Sequence, residues 1–166
     1  MATVEDLSLL ERRRIEAGVL VPVIRALQKE FGEEAVNRVV GQAIKDVARA
    51  QGEEVRRRAN IQTIGDLKHR MKRGPIAEGA LIVDIVEDDD TRFGFNVTRC
   101  KFVEMYEEMG AGDLGFLLSC NRDFASFEGM APGLEFDRTQ TRMEGAPHCD
   151  FRYRTPGKGR PAGSRV

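Results

Sequence analysis

Most of the side chains able to do covalent or proton-transfer chemistry fall between Asn96 and Arg154 of this 166-residue chain, in three short groups. The densest is the last, R138-T-Q-T-R-M-E-G-A-P-H-C-D-F-R-Y-R154. On an extended strand His148, Asp150 and Arg152 share one face and Cys149 points to the other. Arg138 and Gln140 would lie on one face of a partner strand, Thr139 and Thr141 on the other. The second group, L118-S-C-N-R-D123, sets a thiol at a helix–loop junction three residues before a carboxylate. A nucleophile there can project into a cavity while the carboxylate orients a base or holds a cationic group. The first group is N96-V-T-R-C100, with Arg99 and Cys100 expected in the first turn of a helix. That position could bind a carboxylate or lower a thiol pKa. Each group also has a plain structural reading: a small buried thiol, a capping carboxylate, a solvated ribbon of alternating charge.

Other chemistries find less support. Three cysteines and His148 could in principle hold zinc, but no pair has Cys-x-x-Cys spacing, and His148 and Cys149 would point apart. The expectation is therefore a site without a cofactor. No G-x-G-x-x-G, Walker or G-x-S-x-G pattern occurs. His69 sits among Lys68, Arg70, Lys72 and Arg73 and reads as surface.

The elements that must position these groups can be read from apolar spacing. Residues 4–31 read as helix, with a break expected near 18–22 because Pro22 lacks an amide donor. Phe31-Gly32 stops it. A second helix over 33–58 carries Val36, Val39, Val40, Ala43, Ile44 and Val47 as one apolar stripe. Thr63 caps a short helix over 64–72. Residues 79–87, apolar on both faces, predict a central strand, hairpinned to an alternating strand through Phe93, Phe95 and Val97. A helix over 98–110, a shorter one over 113–120, an irregular stretch over 121–133 and strands over 134–143 and 149–154 complete the reading. The fold class is α+β: N-terminal helices on an antiparallel sheet of about four strands, with short inserted helices. One domain spans 1–154, helical over 4–73 and sheet-bearing over 79–154. A Gly/Pro/Arg-rich tail over 155–166 is expected to be disordered.

Bulk properties bound the function. Acidic and basic residues nearly cancel, 27 against 26, so no global field favours nucleic acid or an anionic membrane. No apolar run could span a bilayer. An odd number of dispersed cysteines fits reduced thiols, and with no signal-peptide pattern a cytoplasmic location is expected.

The ordered pattern R-C, C-x-x-D, R-T-x-T and G-x-x-x-C-D-F-R, over about residues 93–154, resembles the L-2-amino-thiazoline-4-carboxylic acid hydrolase family. The resemblance implies a hydrolase that opens a cyclic amidine, lactam or related C–N bond in a small heterocycle bearing a carboxylate. It carries over Arg99, Cys100, Cys120, Asp123, Arg138, Thr139, Cys149, Asp150 and Arg152. On that reading Cys120 is the nucleophile, with Cys149 as the second choice. Asp123 meets the amidinium, Arg99 or Arg152 clamps the carboxylate, and Asp150 or His148 moves protons. The helix-then-sheet order is also similar to small-ligand-binding domains of the vinyl-reductase type, so a sensory module without turnover is the alternative. A homo-oligomer formed through the long N-terminal helices is compatible with both.

Overall fold

The computed structural model describes residues 7–74 and 76–157 and has the α+β order expected. Helix α1 (Leu9–Phe31) begins at Ser8, whose hydroxyl accepts from the Glu11 amide while the Glu11 carboxylate accepts from the Ser8 amide. This reciprocal pair satisfies two donors that a helix start leaves open. The expected break is absent: α1 runs on through Pro22. Gly18, whose carbonyl loses its helical donor to the proline, is exposed, so water can serve that carbonyl. Gly32, at φ 85, then turns the chain into α2 (Glu33–Ala59).

The apolar stripe of α2 is rotated from the one expected. Val36 and Ile44 are buried, but Val39 and Val47 are 66% and 48% exposed. The buried face runs through Val36, Gly41, Ile44, Ala48 and Gly52 instead. Small residues are needed there because α6 (Arg122–Met130) crosses at backbone contact. A Cβ on Gly52 would strike the Ser126 carbonyl, and one on Gly129 would strike the Arg49 carbonyl. Helix α6 itself lies in the stretch expected to be irregular.

Helix α3 (Ile64–Met71) starts at Thr63 as expected, through a reciprocal box with Asp66. The sheet comprises β1 (Leu81–Asp88), β2 (Arg92–Cys100), β3 (Glu135–Asp137) and β4 (Cys149–Arg154), antiparallel in the order β1-β2-β4-β3. Strand β1 is thus an edge strand and not a central one, with Ile82 and Ile85 each 51% exposed. Its pairing with β2 slips twice, leaving Thr98 and Val86 without opposite partners. The strand expected over 134–143 shrinks to β3, because the chain then leaves the sheet and is held by Asp150. A 3-10 turn over Arg142–Glu144 follows, capped by Thr141.

The helix expected from residue 98 starts at Lys101, since pairing of Leu81 with Cys100 keeps Arg99 and Cys100 in β2. This α4 (Lys101–Glu108) leads to α5 (Gly112–Gly115) and a π-helical turn over Phe116–Cys120. Of the tail, Thr155 is still tied down, its amide donating to the Thr91 carbonyl. Residues 158–166 lie outside the described residues.

Apolar burial splits into two clusters. One, around Ile64, Phe95, Phe127 and Tyr153, joins the sheet to α3 and α6. The other, around Ile24, Met105, Leu114 and Leu118, joins α1 and α2 to the α4–α5 region. The π-helical turn and the start of α6 lie where these clusters meet.

Candidate functional site

Cys120 ends the π-helical turn, and Asp123 stands in the first turn of α6. A π-helical turn holds one extra residue, and here the Asn121 amide donates back to the Phe116 carbonyl. Such turns are frequent at functional sites because they redirect the side chains that follow. Arg138, one residue beyond β3, reaches back to both. Its Nη1 donates to the Asp123 carboxylate and, at 3.3 Å, to the Cys120 carbonyl. The guanidinium is almost wholly buried, with its side chain 4% exposed. It lies 5.4 to 5.9 Å from the ring centres of Phe116, Phe124 and Phe151. Three aromatic faces and a carboxylate thus offset the loss of water around this charge.

Burial raises the Asp123 carboxyl to about 6, against the pull of Arg138, Arg13 and Arg122. A third of its side chain remains accessible, so solvent can reach the carboxylate. The thiols behave differently. Burial pushes Cys120 far above the usual thiol range, and the Asp123 charge adds to the effect. Cys100 and Cys149 are also raised by burial. All three thiols lie within electrostatic reach of one another, and the Cys149 sulfur accepts the Arg142 amide at 3.2 Å. Among the described residues, no three His, Cys, Asp or Glu side chains are grouped to hold a metal ion.

The remaining candidates have other partners. Arg99 is exposed and forms a two-bond pair with Glu104 at 2.7 and 3.1 Å. It is no helix-start residue, and its fork is occupied. Arg152 lies on the opposite face of β4 from Cys149, over Gly94, bonded to the Phe95 and Phe151 carbonyls and to Asn96 Oδ1. Asp150 accepts from the Thr139 and Gln140 amides at 2.9 Å and from the Thr139 hydroxyl at 2.6 Å. Burial works to raise its carboxyl, but these bonds together lower it. His148 is tied through its backbone, its carbonyl accepting from the Gln140 side chain. The structure therefore gathers Cys100, Cys120, Asp123, Arg138 and Cys149, and uses Thr139, Asp150 and Arg152 to brace the surrounding backbone.

A second polar group, not anticipated from sequence, adjoins this one. Arg122 is buried; its Nε donates to the Leu118 carbonyl at 2.8 Å and its Nη2 to Glu16 at 3.1 Å. Glu16 also takes both bonds from Arg13. Tyr106 and Ser119 share a hydroxyl–hydroxyl bond of 3.1 Å nearby. Arg122 Nη1 is buried with no partner among the described residues. Counting Arg13, Arg122 and Arg138 against Glu16 and Asp123 leaves an excess positive charge. Glu16 precedes Arg122 by 106 residues, so no local pattern announces the pair. A separate groove of about 460 Å³ runs between α2 and α3, past Arg58, His69 and Arg70, and shares no lining residue with the thiols.

Comparison with known proteins follows this geometry. The family model described as L-2-amino-thiazoline-4-carboxylic acid hydrolase matches residues 12–153. No curated protein matches the chain. Among solved structures, the chain is similar to a trafficking protein particle complex subunit 3 from Naegleria fowleri covalently bound to palmitic acid. The identity is 9% and the TM-score 0.49, over 88% of this chain and 96% of that one. It is also similar to the phenol-responsive sensory domain of the transcription activator PoxR with phenol. There the identity is 12% and the TM-score 0.46, over 82% of this chain and 72% of that one.

Proposed function

The chain belongs to the L-2-amino-thiazoline-4-carboxylic acid hydrolase family, and from that premise we propose that it hydrolyses a small cyclic amidine bearing a carboxylate, with Asp123 as its acid–base group. The observation that carries this reading is the convergence of Asp123, Cys120 and Arg138 beside the rings of Phe116, Phe124 and Phe151, with the carboxyl raised to about 6. A base with that value is ionised at neutral pH yet can still return its proton. Water adds to the amidine carbon as Asp123 takes its proton. The adduct's hydroxyl then becomes the urea carbonyl, its proton passing to the ring nitrogen, while the C–S bond breaks and Asp123 delivers its proton to the departing sulfur. Water is the only co-reactant, and no cofactor is required. Cys120, held as a neutral thiol, serves in this scheme as a hydrogen-bond donor rather than as an attacking thiolate. The substrate carboxylate meets Arg122 Nη1, where an anion would supply the missing countercharge.

The test is incubation of the purified protein with L-2-amino-thiazoline-4-carboxylate, with the opened product followed by mass spectrometry. Turnover is expected, falling by about 10²–10⁴ in Asp123→Asn. Cys120→Ala should keep most of its activity, and Arg122→Lys should raise KM more than it lowers kcat. An inert wild-type protein would sink the proposal. Thermal stabilisation by the compound without product would favour the sensory reading, for which the buried, neutral thiols are the supporting observation.

A further inference from the structure

Helix α1 is apolar on two opposite sides. Its inner side packs Ala17, Leu20, Val21 and Ile24 into the second core cluster. Its outer side carries Ile15, Val19, Pro22 and Ala26, all exposed, at successive spacings of four, three and four. This is the seam spacing by which one helix packs along another. Val23 and Leu27 flank the seam, and Ile15, Val19 and Val23 are 60%, 64% and 48% exposed. A helix with solvent on one side should be polar there, as a surface helix ordinarily is.

Charges at the two ends of the strip identify what covers it. Arg12, half-buried, makes no ion pair among the described residues. Glu30, eighteen residues later and on the same side of the helix, is exposed and makes no ion pair among the described residues. About 27 Å of helix separates them, so they cannot meet within one chain. Both lie nine residues from Val21. An antiparallel copy of α1, related by a twofold axis that crosses the outer face at the height of residue 21, sets Arg12 against Glu30 of the partner subunit at both ends. The same axis brings Val19 to the partner's Val23 and Ile15 to the partner's Leu27. A parallel pairing would instead oppose like charges.

We propose that a second copy of this chain docks on the outer face of α1, forming an antiparallel homodimer. The interface is isologous, the commonest form of closed oligomer. The experiment is light scattering on the full chain at tens of micromolar. Wild type should run at twice 18.6 kDa, and Val19→Glu with Val23→Glu should run as a monomer with unchanged circular dichroism. Arg12→Glu alone should weaken the dimer at least tenfold, and adding Glu30→Arg should restore it. A monomeric wild type overturns the proposal. So does a dimer indifferent to the Val19/Val23 change, or failure of the double charge reversal to rescue.

Discussion

Gly52 and Gly129 lie face to face where α2 crosses α6, each against the other helix's backbone. Neither has a positive φ, so the glycines serve approach and not conformation. Each substitution by alanine gains about 1 kcal/mol of helix propensity. The methyl group, however, meets backbone carbonyls, which cannot rotate aside as a side chain could. Overpacking of this kind costs about 3 kcal/mol or more. Urea unfolding should therefore find Gly52→Ala and Gly129→Ala destabilised by a net ~2 kcal/mol. Gly18→Ala, with open space around it, should be neutral or stabilising.

The two halves of the Arg138–Asp123 pair should not be equivalent. Arg138→Met leaves a carboxylate that can neutralise itself by taking a proton. Asp123→Asn puts a neutral group where the folded site already favours one, since burial outweighs the pull of Arg138 on the carboxyl. We expect Asp123→Asn to cost about 1 kcal/mol or less at pH 7, and Arg138→Met, which removes that pull and the bond to the Cys120 carbonyl, to cost more. Equal losses in denaturant titrations would count against this account of the burial.

The same carboxyl sets a pH dependence. Its folded value, about 6, lies above the ordinary carboxylate value, so between those limits the native protein holds more protons than the unfolded chain. Stability from this group is therefore present in acid and lost as pH rises through about 6. Activity should move oppositely, climbing over the same window as the base ionises. Unfolding midpoints and rates measured from pH 4.5 to 7.5 check both, with the stability slope flattened in Asp123→Asn.

Asp150 should behave in the reverse sense. Its lowered carboxyl contributes stability at neutral pH that is lost as pH falls through the folded value. Asp150→Asn leaves the Thr139 and Gln140 amides short of an ionic acceptor. The cost should be about 2 kcal/mol, with faster amide exchange over 138–141.

Thiol chemistry gives a direct reading of the site. With burial holding Cys120, Cys100 and Cys149 in their neutral forms, iodoacetamide at pH 8 should label the native protein at least tenfold more slowly than the urea-unfolded chain. Rapid native labelling of Cys120 would return it to the role of attacking thiolate.

Local patterns carried much of the architecture. Thr63 with Asp66, Gly32 after Phe31, and the alternation through Phe93, Phe95 and Val97 are short-range signals, and the elements that they mark formed as read. Errors came where long-range packing decides. Leu81–Asp88 is apolar on both faces, which by itself does not distinguish a central strand from an exposed edge. Helix α6 carries Gly129 for its crossing with α2, and a glycine there reads as a breaker when the other helix is not in view. Of the site, the C-x-x-D spacing pointed to Cys120 and Asp123. The partnership with Arg138 is fixed only when β3 turns back, and that of Arg122 with Glu16 only when α1 packs down.

Strand β1 presents Ile82, Ile85 and Val86 along an open edge, the kind of sequence that seeds fibrils. Its two register slips, with Val86 bulged out of line, deny an incoming strand a straight ladder to copy. Asp84, Glu87 and Asp88, spaced between the apolar side chains, would stack like charge on like in any self-templated stack. Straightening Val86 back into register while neutralising those carboxylates would turn a harmless margin into a nucleus for insoluble growth.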